Sequence, residues 1–484
     1  MVHTRELSGA LRGLVDLVGD GAIALDDPTI DRYATDAWPV MRKLRALGLR
    51  DRRPRAVLLP SSTEEVAAMV RFAGGHGLTI TPYGGGSNVV GATESDGGII
   101  LSTERLDRIV EFDEVAQLVH VEAGVRGDTL ENELGRRGYT LGHYPQSLPL
   151  STVGGWIATR ASGTFSSYYG GIEGVIAGLT VVMATGDVLA IPPAPRHAAG
   201  PNPVQIFIGS EGTLGVVTSA WLQVCRCPEV ELPQAYLVPG FETGLDVLRD
   251  LMQRGLMPAL ARLYNPAETA SILDGCDGRA GRAEDDCLLL CAHIGVPSIA
   301  RAQEVEVAHA CTAAGARGIG ADPVAVWMKK RYEATAFWEV TASPGRILDT
   351  IEVCAPWSRV AAVARNLDAA LRAWSSRVLI HASHVYTTGA SLYAIFIVED
   401  RDDRVALERH ARAWDAAIES VTSAGGLPAH HHGIGVARAQ WFEGSDYGAL
   451  YRRIKGALDP GYVLNPGKLD RRLSVPSIRD LDGV

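Results

Sequence analysis

The sequence has few cysteines, no long apolar run and no excess of basic residues, and each absence excludes a class of protein. Seven cysteines among 484 residues form no CxxC pair and no zinc-type spacing, which predicts reduced thiols rather than a disulfide framework. No stretch approaches the roughly 20 apolar residues that span a bilayer, and the N-terminus is not typical of a secretory signal. The formal net charge of −10 argues against nucleic-acid binding, which needs a basic surface. We therefore expect a cytoplasmic globular protein.

Length and glycine distribution predict several domains. A chain of 484 residues is too long for one ordinary core. Apolar residues at helical spacing, beginning with Leu7 and Leu11, predict a helical segment within residues 1–50. Glycine clusters are frequent in residues 51–228 and become sparse after them. The chain beyond residue 228 has the alternating strand and amphipathic-helix patterns of a second large unit.

The predicted elements are typical of an α+β protein rather than a doubly wound sheet. No GxGxxG motif opens a helix, so a Rossmann dinucleotide site is disfavoured. Strands are predicted at residues 77–80, 98–102, 108–112, 118–123, 179–184 and 391–398, and helices at 61–75, 126–137, 244–254, 301–314, 358–372 and 402–424.

Residues 81–88, Thr-Pro-Tyr-Gly-Gly-Gly-Ser-Asn, place three glycines after the first of these strands. Glycine permits φ > 0 and lets a ligand approach bare N–H groups, which suits a phosphate. An ordinary tight turn would explain this run alone equally well. Further glycine-rich stretches at 151–155, 161–163, 168–171 and 208–215 each adjoin a strand and favour a channel for a long, flat cofactor.

Two of these motifs resemble the flavin-binding domain of the vanillyl-alcohol oxidase superfamily. They are residues 82–88 and the sequence Gly-Ser-Glu-Gly-Thr-Leu-Gly-Val at 209–216, with Ser-Thr-Val-Gly-Gly and Ala-Ser-Gly between them. The resemblance implies an α+β fold in which a two-subdomain, PCMH-type FAD-binding domain (51–228) is covered by an α+β cap domain (229–429). It also implies that residues 430–484 return to the FAD-binding domain.

The same resemblance implies FAD as the cofactor. Many members attach the flavin through a histidine or cysteine of the first loop, whereas this loop has Tyr83, so we expect noncovalent FAD. His143 is expected to have no part in attachment. The residues expected to contact FAD are Pro82, Tyr83, Gly84, Gly85, Gly86, Ser87, Asn88, Gln146, Ser147, Ser151, Thr152, Gly154, Gly155, Ala161, Ser162, Gly163, Glu211, Gly212, Gly215, Val216, Val217 and Lys468.

Motifs in both domains resemble, more narrowly, the alkyldihydroxyacetonephosphate synthases. They include His-His-His-Gly-Ile-Gly at 430–435, Tyr-Thr-Thr-Gly-Ala-Ser-Leu-Tyr at 386–393 and the run from Gln146 to Trp156. The resemblance implies exchange of the acyl group of acylated dihydroxyacetone phosphate for a fatty alcohol, through an adduct on flavin N5 and without net electron transfer. It assigns proton transfer to His430, His431 and His432, a phenolic donor to Tyr393 and phosphate binding to Arg262.

Each of these residues also has a structural interpretation. Three adjacent histidines can be a metal site, an exposed run or a cluster of bases. The metal-dependent D-2-hydroxy-acid dehydrogenases of the superfamily have a glutamate where this chain has His431, so we expect no metal. Arg262 can instead be a salt-bridge partner, and Tyr393 a core residue of its strand.

Two other functions remain open. An FAD-dependent dehydrogenase or oxidase of a D-2-hydroxy acid or alcohol would use one of the three histidines as base and Arg262 for a carboxylate. A flavin-binding protein without turnover is a third hypothesis. We expect a small-molecule or lipid substrate, at most peripheral membrane contact and no nucleic-acid partner, and a homodimer is a possible assembly.

Overall fold

The computed structural model of the protein describes residues 9–49, 53–95, 97–274, 283–332 and 335–470. Leu7 and Cys276 lie outside these ranges, as do residues 471–484 of the predicted C-terminal segment 430–484. Within them, none of the helices combines the length and apolar composition needed to cross a bilayer.

Helices occur along the whole described chain, and the longest lie after residue 240. The four amphipathic helices predicted there are confirmed as α10, α12, α15 and α16 in the following series. The helices are α1 (Gly9–Val18), α2 (Asp27–Tyr33), α3 (Pro39–Ala46), α4 (Thr63–Gly75), α5 (Gly127–Arg136), α6 (Val153–Thr159), α7 (Ser166–Tyr169), α8 (Ile172–Val175), α9 (Val204–Phe207), α10 (Phe241–Gln253), α11 (Pro266–Leu273), α12 (Pro297–Ala313), α13 (Asp322–Lys330), α14 (Thr335–Ala342), α15 (Trp357–Arg372), α16 (Asp403–Ser423), α17 (Ala439–Glu443) and α18 (Asp446–Leu458).

The longest strands of the described chain lie after residue 229. They are β1 (Ile23–Ala24), β2 (Ala56–Leu58), β3 (Ile80–Tyr83), β4 (Ile99–Ser102), β5 (Ile109–Asp113), β6 (Leu118–Glu122), β7 (Tyr139–Thr140), β8 (Ile176–Val182), β9 (Val188–Ile191), β10 (Val216–Gln223), β11 (Cys225–Arg226), β12 (Val230–Pro239), β13 (Leu260–Tyr264), β14 (Asp286–Gly295), β15 (Arg317–Gly320), β16 (Arg346–Pro356), β17 (Val378–Val385) and β18 (Gly389–Glu399).

These strands form separate sheets before and after residue 229. The first part contains a four-stranded sheet of order β1-β2-β4-β3, a five-stranded sheet of order β5-β6-β10-β8-β9 and the pair β11-β7. The second part forms one seven-stranded antiparallel sheet of order β15-β12-β14-β13-β17-β18-β16. We call this last sheet the cap sheet. The arrangement confirms the predicted α+β class.

Two local features differ from the sequence analysis. The strand predicted at residues 77–80 lies instead at β3, because Gly77 has φ 64 and Leu78 N–H bonds back to the Ala73 carbonyl, which together terminate α4. The N-terminal segment, predicted as helical, also contributes β1, which pairs antiparallel with β2 through Ile23 and Leu58. The glycine loop therefore leaves directly from the last residues of β3.

Alternation along the strands of the cap sheet separates its two faces. In β17, Ile380 and Ala382 pack in the core that also contains residues of α10, α15 and α16. The intervening residues His381 and Ser383 point to the opposite face, where they line a cavity. The helices thus cover one face of the cap sheet and leave the other for ligands.

The C-terminal residues return to the four-stranded sheet. Leu464 forms a parallel bridge with Ile80 of β3, supported by hydrogen bonds of 2.7 Å from Ile80 N to Val463 O and from Asn465 N to Ile80 O. The Asn465 side chain also donates, through Nδ2, to the Glu211 backbone carbonyl at 2.7 Å. This segment therefore closes the edge of the sheet beside the start of the glycine loop.

A buried ion pair fixes the same return. The Lys455 ammonium in α18 donates to Asp459 Oδ2 at 2.5 Å, to the Thr213 carbonyl at 2.6 Å and to the Leu464 carbonyl at 2.8 Å. Lys455 and Asp459 side chains are only 2% and 1% exposed. Because the partners of Lys455 come from three parts of the chain, this one ammonium joins α18 to both neighbouring segments.

Replacing Asp459 by asparagine should therefore destabilise the fold. The substitution leaves a buried ammonium without its counter-charge, a loss that costs about 3–5 kcal/mol. We expect a lower urea midpoint for D459N. Asp250→Asn is the matched control, since Asp250 and Arg254 form an i,i+4 pair that is exposed, and its midpoint should stay at the wild-type value. Equal midpoints for the two variants would contradict the role given to Lys455.

Candidate active site

A cavity of about 1030 Å³ lies between the glycine-rich part of the chain and the open face of the cap sheet. Its first wall contains the glycine loop at residues 84–88, together with parts of the segments 145–164 and 210–217. Its second wall contains side chains of β13, β16, β17 and β18 and the histidines at 431 and 432. The volume is at the upper end of the range for small-molecule and cofactor sites.

The three glycines of the loop are required by its packing. A Cβ on Gly85 would lie 1.9 Å from the Leu150 carbonyl oxygen, and one on Gly84 would lie 2.5 Å from Thr152 Oγ1. Gly86 has φ 63, and its Cβ would lie 1.9 Å from the Tyr83 hydroxyl oxygen. The loop therefore presents bare backbone to the cavity, as binding of a pyrophosphate requires.

Neighbouring segments complete this wall with small residues and backbone. Thr152 caps α6 by accepting a hydrogen bond from Gly155 N at 3.3 Å, and both residues line the cavity. Gly212 has φ 70 and contacts Pro82 so closely that a Cβ would lie 2.9 Å from the ring. The residues present fit a long cofactor bound along its phosphates, because a continuous strip of this wall carries little side-chain bulk.

Most residues predicted to bind FAD line the cavity. They are Pro82, Tyr83, Gly84, Gly85, Gly86, Ser87, Asn88, Gln146, Ser147, Ser151, Thr152, Gly154, Gly155, Ala161, Ser162, Glu211, Gly212, Gly215, Val216 and Val217. Gly163 and Lys468 are placed behind the wall. A Cβ on Gly163 would lie 2.4 Å from Tyr144 N, and the buried Lys468 ammonium donates to the Glu94 and Pro466 carbonyls. The fully buried His143 lies against Trp156, outside the cavity lining.

Tyr393 is held between its two neighbouring strands. It pairs with His381 of β17 on one side and with Glu352 of β16 on the other. Its ring stacks on the His381 ring with a centroid distance of 4.9 Å and an interplanar angle of 11°. The edge of the His432 ring meets the Tyr393 ring at 5.4 Å. Burial raises the pKa of Tyr393 to about 12, so its phenol is a proton donor at neutral pH.

Arg262 lies on β13 and is 4% exposed, with its side chain in the same cavity wall. Its Nε donates to the Tyr264 hydroxyl at 2.8 Å, and its Nη2 donates to His381 Nε2 at 2.8 Å. The guanidinium carbon lies 4.8 Å from the centre of the Trp327 ring, a cation–π distance. These contacts fix a cation in a position from which it can bind an anionic ligand.

The backbone of the histidine run is organised by one carboxylate. Glu352 accepts hydrogen bonds from the amides of His430, His431 and His432 at 2.5, 3.4 and 2.8 Å. It also accepts one from the fully buried Arg438 guanidinium at 2.6 Å. Burial alone would raise the pKa of Glu352, but the charge of Arg438 holds it below its ordinary value. The carboxylate is therefore charged and fixes the turn.

A second carboxylate holds two residues further along the turn. Glu211, which has φ 51, accepts hydrogen bonds from Ile434 N at 2.5 Å and from Gly435 N at 2.8 Å. Burial raises the pKa of Glu211 to about 7. Residues 430–435 are thus bonded to the cap sheet through Glu352 and to the glycine-rich part of the chain through Glu211.

The three imidazoles are partly buried and form a connected cluster. His430 Nδ1 and His431 Nδ1 are 2.9 Å apart, and the His431 and His432 ring centres are 4.5 Å apart. His384 stacks against His430 at 5.2 Å. Burial lowers the pKa of all three residues of the run, that of His432 to about 4. Neutral imidazoles can accept a proton at pH 7.

His431, His432, Tyr393 and Arg262 face the cavity together, whereas His430 lies behind them among His384 and Tyr386. This burial does not fit an exposed run. Within the described ranges, no group of three or more His, Cys, Asp or Glu side chains is arranged to hold a metal ion.

Four residues around this site were not predicted from the sequence: Glu352, Arg438, His381 and Glu268, whose carboxylate lies 3.0 Å from His381 Nδ1. A signal for two of them exists in the strands themselves, because Glu352 and His381 interrupt apolar runs at alternate positions. Such residues lie on the face opposite the hydrophobic core. Arg438 and Glu268 carry no comparable signal, since only the folded chain brings them to these strands.

Comparisons with known proteins agree with this geometry. A family described as FAD binding domain matches residues 54–191, and one described as FAD linked oxidases, C-terminal domain, matches residues 228–469. The chain is 27% identical over 462 residues to an alkyldihydroxyacetonephosphate synthase of Dictyostelium discoideum, covering 88% of this chain and 74% of that protein. It is 28% identical over 478 residues to the FAD-linked oxidoreductase YgcU of Escherichia coli (strain K12), covering 94% and 97%.

A solved structure of an alkyldihydroxyacetonephosphate synthase is similar over 96% of this chain and 86% of its own, with a TM-score of 0.82 and 25% identity. These findings confirm the predicted PCMH-type fold and the predicted FAD cofactor.

Gly85→Ala should weaken FAD binding. The added methyl group collides with the Leu150 carbonyl and must displace the loop, a strain of about 1–3 kcal/mol that corresponds to roughly 5- to 150-fold lower affinity. The measurement is the ratio of flavin to protein absorbance after dialysis. Gly75→Ala is the control, because nothing lies within 4 Å of its Cβ. Full flavin content in G85A would contradict the position of the cofactor.

Proposed function

This chain belongs to the FAD-linked oxidase family and is an FAD-dependent enzyme, and from that premise we propose that it acts on a small anionic substrate. The observation that supports the proposal is the shared cavity. Arg262, Tyr393, His431 and His432 face the same space as the glycine loop. An anion-binding guanidinium, neutral bases and a phenol are therefore available next to the cofactor-binding wall.

In this proposal, each of the side chains that face the cavity has one role in the reaction. The Arg262 fork binds a carboxylate or phosphate and so orients the substrate. His431 or His432 takes the proton of a substrate hydroxyl, and Tyr393 stays protonated and donates a hydrogen bond to the same oxygen. FAD, when bound, supplies the two-electron acceptor for such chemistry.

The composition of the cap side of the cavity favours oxidation of a short hydroxy compound. Its lining residues in the described chain beyond residue 229 are polar or aromatic: Arg262, Arg331, Tyr332, Asp349, Thr350, His381, Ser383, His384, Tyr393, His431 and His432. A long alkyl chain would need apolar lining there. We therefore favour a D-2-hydroxy acid or a phosphorylated alcohol that loses its carbinol hydrogen as hydride and its hydroxyl proton to a histidine.

Exchange of an acyl group for a fatty alcohol on dihydroxyacetone phosphate is the second candidate. It is supported by the similarity to alkyldihydroxyacetonephosphate synthases over most of the chain. It is also supported by the placement of the three histidines beside Tyr393. In this reaction Arg262 would bind the phosphate, and a histidine would move the proton that the incoming alcohol loses.

We further propose that residues 51–228 form the FAD-binding domain and residues 229–429 the cap domain, with residues 430–484 returning to the first. The boundary at 228 is supported by the cap sheet, which begins at Val230 and contains no strand from the earlier part of the described chain. The third segment is supported by the bonds of residues 434–435 to Glu211.

The FAD should be noncovalent. The loop at residues 82–88 has no histidine or cysteine, and the Tyr83 hydroxyl donates to the Thr35 carbonyl at 3.3 Å. Acid precipitation of the yellow protein should leave the FAD in the supernatant. The mass of the denatured polypeptide should equal that of the unmodified chain. A polypeptide heavier by one flavin would disprove this proposal.

Anaerobic mixing separates the two candidate reactions. We expect D-2-hydroxy acids such as D-lactate to bleach the oxidised flavin. Release of a labelled fatty acid from acylated dihydroxyacetone phosphate, without bleaching, would instead support exchange.

Replacing His431 and His432 together by alanine should lower the bleaching rate about 10²- to 10⁴-fold. The yellow colour should remain, because the backbone bonds to Glu352 do not need the imidazoles. The control is His76→Ala, an exposed histidine of the first part. An unchanged rate in the double variant would remove the base assignment.

A further inference from the structure

A chain of three buried side chains extends from the cavity wall into the cap sheet, and the proposed chemistry does not use all of it. Arg262 Nη2 and His381 Nε2 are 2.8 Å apart, and His381 Nδ1 is 3.0 Å from both carboxylate oxygens of Glu268. Arg262, His381 and Glu268 are 4%, 5% and 8% exposed. The carboxylate thus lies two hydrogen bonds away from the guanidinium.

The donors and acceptors in this chain determine the tautomer of His381. A guanidinium has five N–H donors and no acceptor, so His381 Nε2 must accept from Arg262 through its lone pair. The proton of the neutral imidazole is then on Nδ1, where Glu268 accepts it. Burial lowers the pKa of His381, which agrees with a neutral ring.

The surroundings hold both members of this contact in place. Tyr393 stacks flat on the His381 ring. Arg262 is held at Nε by the Tyr264 hydroxyl and on its face by Trp327. Among the residues that the structure describes, Tyr264 and His381 accept from two of the five Arg262 N–H groups, and the other three are available to a ligand in the cavity.

We propose that His381 and Glu268 are positioning residues that aim the Arg262 fork at the anionic group of the substrate. This inference rests on the proposed function, in which Arg262 binds that group. Glu268 keeps the proton on Nδ1, and the lone pair on Nε2 keeps Arg262 in one orientation. If the proton moved to Nε2, two donors would face each other and Arg262 would have to turn away.

Anion binding to the oxidised yellow protein tests the proposal without turnover. Inorganic phosphate and oxalate serve as probes, and their dissociation constants are read from changes in the flavin absorption spectrum at pH 7. Arg262→Met should abolish the response. Glu268→Met, which cannot accept the Nδ1 proton, should weaken binding about tenfold, the loss expected for one hydrogen bond to a charged group.

Whether E268M weakens or tightens anion binding distinguishes a positioning role of Glu268 from a simple effect of its negative charge. Removal of a negative charge near Arg262 would by itself tighten anion binding, whereas loss of the tautomer weakens it. Glu268→Gln loses the charge but keeps an acceptor oxygen, so its affinity should be at least that of the wild type. Glu65→Met is the control, because Glu65 lies in the first turn of α4 and its side chain accepts hydrogen bonds from Ser61.

His381→Phe supplies an independent variant in case E268M does not fold. It keeps an aromatic ring against Tyr393 but offers no acceptor to Arg262, so the probes should again bind more weakly. Unchanged or tighter binding in E268M or in H381F would overturn the positioning role. If neither probe binds the wild type, or if R262M binds as well as the wild type, the proposed role of Arg262 fails, and the inference fails with it.

Discussion

Two buried carboxylates hold the segment on which the site depends. Glu352 binds three successive amides of residues 430–432, and Glu211 binds those of residues 434 and 435. One carboxylate belongs to the cap sheet and the other to the glycine-rich part of the chain. Breaking a buried charge pair such as Glu352 with Arg438 costs about 3–5 kcal/mol, so the turn between the two walls is firmly fixed. The cavity keeps its shape because these two walls share one bonded segment.

The two faces of the cap sheet have different roles. Residues at alternate positions pack under α10, α15 and α16 and supply stability. The residues between them, such as Arg262, His381 and Tyr393, line the cavity with polar and ionisable side chains. Because a strand exposes its two faces independently, the polar side chains that line the cavity are separate from the apolar side chains that pack under the helices.

Much of the fold and part of the site could be predicted from sequence. Hydrophobic spacing located the long helices, and local glycine chemistry located the loop at Gly84–Gly86, since both signals come from neighbouring residues. The start of β3 was misplaced because α4 ends through the positive φ of Gly77 and the hydrogen bond from Leu78 N back to the Ala73 carbonyl. Glu268 and Arg438 could not be found, since their roles depend on contacts with His381 and Glu352, which are more than 80 residues away in sequence.

The way the histidine turn is attached has an evolutionary consequence. The three hydrogen bonds from residues 430–432 to Glu352 all come from main-chain amides, and none of them requires an imidazole. The path of the turn is therefore encoded separately from the groups it displays. A lineage could exchange the displayed side chains, and so acquire a new reaction, while inheriting the architecture unchanged.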